Sequence, residues 1–212
     1  MERKRWYKDM VFYQIWPALL IAGLVSGLGT AAIAADSVAR TISPFVHCVG
    51  AAFNAVMMMV IGQCMGARKP DEAKFYTKHI LKMDYLMTTI TAIVFIIFLM
   101  PIISVFKKGA SIEAQNMAYW ITIIYSICSS FFYPSSFALA AALRATGDTK
   151  FVMVVASASM FLFRIGAAYI FVYAFKLGVI GTWVAMVSDW VIRTILFVIR
   201  FKKGKWQQNE VI

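Results

Sequence analysis

Charge is what this sequence has least of. Asp, Glu, Lys and Arg make up 15% of its 212 residues, against about 25% in a soluble globular domain. No charged residue occurs from Ala114 to Leu143, nor from Tyr85 to Phe106. A soluble domain of this length needs a polar surface, and most of the chain has none to offer. Histidine is scarce as well: His47 and His79 are the two copies, and neither stands in a His-Glu-x-x-His zinc pattern. No Walker phosphate loop is present, so ATP-driven transport finds no support within this chain. Cys48, Cys64 and Cys128 lie in apolar runs without disulfide or metal spacing. No catalytic constellation emerges; the sequence reads as a non-enzyme without a bound cofactor.

What is present is apolar, at 61%, with aromatics at 15%. The uncharged runs predict an all-α integral membrane protein with six transmembrane helices, at residues 10–28, 37–65, 80–104, 113–139, 149–175 and 178–200. Each is long enough for a hydrocarbon core of about 30 Å, which needs roughly 20 helical residues. Pro17, Gly23, Gly27 and Gly29 weaken the first as a straight helix. Run length and the lack of alternation exclude a β-barrel. Residues 1–9 form a basic N-terminal segment and 201–212 a basic tail. After Gly66, Pro70-Asp71-Glu72 reads as a turn followed by a helix start.

The formal charge of +11 does not point to nucleic acid, because it sits in clusters between uncharged runs. That pattern fits a partner of another kind, the anionic lipid bilayer. Fifteen of the 21 Lys and Arg fall at the two termini, in 66–82 and in 144–150, and four fall on the opposite side. The bias places both termini in the cytoplasm, in a multi-pass protein of the cell membrane.

Polar groups inside spans are functional candidates by default. Arg164 and Asp189 flank the tight hairpin at 176–178 by 12 and 11 residues, so both lie about 16–18 Å from the turn at 1.5 Å per residue. Asp189 and Arg193 are four apart on one helical face. Asp189 can pair with Arg193, with Arg164 or with both, as a network lining a cavity or as a clamp between the last two helices. In the second span His47 and Asn54, seven apart, share a face. With Met58 of the Met57-Met58-Met59 run and Gln63, they are candidates for lining a substrate path. Interhelical hydrogen bonds are the alternative. Asp36 reads as the N-cap of the second helix, and Gly62 with Gly66 as a small-residue site for close helix packing.

Four segments, in this order and spacing, resemble the multidrug and toxic compound extrusion (MATE) transporters. They are Gly27–Val38, Val60–Arg68 followed by Pro-Asp-Glu-Ala, Leu143–Lys150, and Trp183–Arg193 running on to Trp206. The resemblance covers about Leu24–Trp206 and is to the C-terminal lobe alone. It implies one six-helix lobe of a MATE-like fold. It also implies export of cationic or amphipathic compounds in exchange for H⁺ or Na⁺, with rocking of two lobes about a central cavity. A missing N-terminal lobe or a second copy of the chain would then complete the transporter. The alternatives are a lipid or lipid-linked sugar flippase and a truncated, non-transporting fragment. Relatives use acidic groups that the first, second and fourth spans here lack, so no buried carboxylate is expected outside the Asp189 cluster.

Overall fold

The computed structural model describes residues 16–208. The predicted basic segment 1–9 and the first part of the first span, 10–15, lie outside the described residues, as does 209–212. Within them the chain is helical almost throughout, and five helices are long and apolar enough to cross a membrane. Six spans were expected; the first is represented by a shorter apolar helix, α1 (Trp16–Ser26).

α1 ends in a Gly-Leu-Gly turn, and Gly29, at φ 98°, occupies a conformation that disfavours side chains. α2 (Thr30–Gly66) then runs for 37 residues. It starts seven residues before the expected Ser37, because the alanine-rich stretch after Gly29 is strongly helix-forming. Asp36 is therefore not an N-cap. It sits inside α2, where its carboxylate pairs with Arg40 at 2.6 Å and accepts from the Trp183 indole at 2.9 Å.

A three-residue turn follows, in which the amides of Ala67, Arg68 and Lys69 bond back to the last carbonyls of α2. Pro70 opens α3 (Pro70–Ile97), with Asp71 and Glu72 in its first turn. These carboxylates suit the positive end of the helix dipole. The expected span at 80–104 is not one helix. It breaks at Phe98, and α4 (Leu99–Ser104) continues it. Pro101 explains the break: it has no N–H to donate, and its ring crowds the carbonyl four residues back, at Ile97.

Ser111 caps α5 (Ile112–Ala145), accepting from the Ala114 amide at 3.2 Å. α5 extends six residues beyond its expected end and includes one π-helical turn at Pro134–Ala138. It is the most buried of the five long helices. α6 (Thr149–Ala174) carries two more π segments, Met160–Ile165 and Ile170–Ala174. A hairpin with left-handed Lys176 and Gly178 leads to α7 (Gly178–Lys202).

Burial is divided along the bundle. One apolar cluster joins Val38, Ile42, Val46, Leu99, Ile121, Tyr125 and Trp183. A second, at the other end, joins Met57, Ile61, Leu139, Leu143, Val152, Phe197 and Trp206. Asp148, before α6, ties down Arg200 of α7 through two hydrogen bonds of 2.6 and 3.1 Å. Trp206 folds back beneath this end, 1% exposed, its ring stacked on Phe201. α2 packs tightly on α5 at Gly50, where an added Cβ would lie 2.5 Å from the Tyr133 ring. Gly62 and Gly66, expected to do this, have nothing within 4 Å of a Cβ.

Candidate functional site

Polar side chains fill the level between the two apolar clusters. α2 contributes His47 and Asn54, α3 contributes Asp84 and Thr88, and α5 contributes Tyr133, Ser135 and Ser136. α6 and α7 complete the belt with Ser159, Asp189 and Arg193. A polar layer at this depth is costly unless its members satisfy one another or meet water.

Tyr133 organises the α2 side. Its ring stacks on His47 at 4.2 Å, and its hydroxyl accepts from the Asn54 amide at 3.3 Å. His47 also hydrogen-bonds the Tyr125 hydroxyl through Nε2 and meets Trp190 edge to face. The seven-residue spacing of His47 and Asn54 does bring them to one partner, and that partner lies inside the bundle. Met58 is on the same side of α2 but exposed, while Met57 beside it is fully buried. Gln63 is exposed, about 160° around the helix from His47 at roughly 100° per residue. The four candidates thus do not line one surface.

The charged trio also divides. Arg193 pairs with Asp189 at 2.8 Å. It reaches across to α6, donating to Ser159 Oγ at 2.8 Å and to the Ala156 carbonyl at 3.3 Å. Arg164 stays apart: its Nη2 lies 3.4 Å from the Met186 sulfur and its Nε is buried without a partner. Of the pairings open to Asp189, the one formed is with Arg193, four residues on within α7; the contact to α6 is made by Arg193 alone.

Asp84 was not foreseen. It is 0% exposed, and neither carboxylate oxygen has a hydrogen-bond partner. With Asp36 and Asp148 also buried, this overturns the expectation that no buried carboxylate exists outside the Asp189 cluster. The sequence signal was available. Ala73, Thr77, Ile80, Asp84, Thr88 and Ala92 are the buried residues of α3 and follow three- and four-residue steps along one face. The neighbouring Lys78 and Lys82 disguised it as part of a solvated rim.

A bundle of long apolar helices with a polar layer at mid-depth defines the class: a polytopic membrane protein built as one lobe of a transporter fold. The MatE family model matches residues 10–170, and the chain belongs to that family. It is 28% identical over 131 residues to "Probable multidrug resistance protein NorM" of Thermotoga maritima, covering 61% of this chain and 27% of that one. It is 25% identical to "Uncharacterized transporter YisQ" of Bacillus subtilis, covering 90% and 41%. Among solved structures, a MATE protein in complex with MaD5 superposes with a TM-score of 0.81 at 21% identity, covering 91% of this chain and 43% of that one. The chain thus spans less than half the length of these relatives.

Proposed function

We propose that the chain is the C-terminal lobe of a secondary-active multidrug antiporter, exporting cationic or amphipathic compounds in exchange for H⁺ or Na⁺. The observation that carries this reading is the superposition of nearly the whole chain on under half of a MATE structure, which corresponds to one lobe. The polar belt supports it, since polar groups at mid-depth between rigid helices are where such transporters bind their cargo. A second lobe, from another chain or a second copy, completes the cavity. Both termini face the cytoplasm in this reading. His47 and Asn54, joined through Tyr133, lie nearest the path, and Arg193, paired with Asp189 within α7, holds α7 to α6 through Ser159 and the Ala156 carbonyl.

The test is efflux from reconstituted vesicles loaded with a fluorescent organic cation, with the chain alone and with an N-terminal lobe from a relative. Imposing a pH or Na⁺ gradient should accelerate dye loss only when both lobes, or a demonstrated homodimer, are present. Dye loss that ignores every imposed gradient would overturn the antiporter reading.

A further inference from the structure

Asp84 is the one buried carboxylate among the described residues with neither a hydrogen bond nor an ion pair. The others are matched: Asp36 by Arg40 and Trp183, Asp148 by Arg200, Asp189 by Arg193. An isolated ionised carboxylate in such a place is so costly that the group takes up a proton instead.

The surroundings are shaped for a neutral acid. The carboxyl sits at the level of Asn54: the two lie 14 and 12 residues from the ends of the same turn, Pro70 and Gly66, or about 21 and 18 Å along their helices. Tyr85, the next residue, hydrogen-bonds Ser135 in the π turn of α5. Asn54 Oδ1 and Ser136 Oγ in this layer are buried acceptors without a partner. π turns within α-helices are frequent at functional sites. No cation faces the carboxyl. α2 offers Asn54, and His47 two turns away is held by Tyr125 and Tyr133. α5 offers the two phenols, with Arg144 exposed near its end. α4 has no titratable residue, and Lys78 and Lys82 of α3 itself are exposed.

Apart from Asp84, the buried residues of α3 are Ala73, Thr77, Ile80, Thr88 and Ala92, most of them small, so few bulky side chains interlock the helix with its neighbours. We propose that Asp84 is a proton-exchange site, holding a proton while α3 is seated on α2 and the π turn of α5, and releasing it to water when α3 leaves that seat. The proton goes to solvent and returns from solvent, so no other reactant is needed. Its role as the coupling ion rests on the antiporter reading; its presence does not.

The experiment is infrared difference spectroscopy of the full chain in lipid nanodiscs across a pH series, with Asp84→Asn, Asp84→Glu and, as an exposed control, Asp71→Asn. The expected result is a protonated-carboxyl carbonyl band at neutral pH that is lost in Asp84→Asn, shifted in Asp84→Glu and unchanged in Asp71→Asn. If Asp84→Asn does not fold, the shift in Asp84→Glu decides. Superimposable spectra for the wild type and Asp84→Glu would overturn the proposal. So would a band that collapses on adding Na⁺ at fixed pH, which would assign the site to sodium. A band without gradient-driven efflux even when a second lobe is supplied would sink the antiporter reading and leave the site standing; efflux with both lobes but without the band would do the reverse.

Discussion

At the residue scale, the bundle rests on a few satisfied polar contacts in an apolar setting. Removing one partner of a buried ion pair costs about 3–5 kcal/mol, whereas replacing both with apolar residues of similar size is often neutral. Arg193→Met alone should therefore lower the thermal midpoint in detergent markedly. Asp189→Leu combined with Arg193→Met should recover most of the loss if that loss is the unpaired charge of the buried Asp189. A double variant as unstable as the single one would show that Arg193's bonds to Ser159 and Ala156 carry the contact. Gly50 gives a second case. Its absent side chain leaves room for Tyr133, which is stacked between His47 and Phe137 at 4.2 and 4.5 Å. A methyl group there displaces a ring with no free space beside it, so Gly50→Ala should cost about 1–3 kcal/mol, read as a fall in thermal midpoint. No change in that midpoint would mean that the ring rotates away freely.

At the element scale, proline and glycine decide where helices bend. Pro134 cannot donate a backbone hydrogen bond, and α5 passes it by widening into a π turn. That turn presents Ser135 to Tyr85. Pro134→Ala restores the donor and should let α5 return to a regular register, turning Ser135 away. A pair of variants tests this: Tyr85→Phe, which removes the hydroxyl that meets Ser135, should lower the thermal midpoint in the native background and add little to the effect of Pro134→Ala. Additive losses would show that packing, not proline, sets the π turn. The helices themselves were legible in the sequence because uncharged runs and Gly or Pro breaks act locally. The start of α2 was misjudged because Asp36 and Arg40 interrupt its hydropathy, although each is satisfied within the fold. The partners of His47 could not be read, since Tyr125 and Tyr133 lie far along the chain and only packing brings them to α2. The same holds for Asp84, whose burial depends on α5 covering a stripe that looks like the end of a basic segment.

On the scale of the whole molecule, the chain is one lobe with two apolar ends and a polar waist. Successive membrane crossings place the turns at 67–69 and 146–148 on one side and the link at 105–111 on the other. With the native cysteines replaced, a cysteine at Arg68 or Gly147 should react with an impermeant reagent from one side of a sealed vesicle, and one at Gly109 from the opposite side. Labelling of all three from one side would contradict the helix order. The overall architecture was the most legible feature of the sequence, because uncharged length is sufficient to recognise a membrane helix.

The seat of Trp206 has a consequence for how the molecule is made. The cluster it closes draws on α2, α3, α5, α6 and α7 together, so this end stays open while earlier helices are already in the bilayer. The indole can take its place only once Phe201, on which it stacks and to whose carbonyl it donates, has been made. Closure of this end is therefore a late event in assembly: a chain shortened before residue 206 should still insert its helices, yet yield faster to added protease than one that carries the tryptophan.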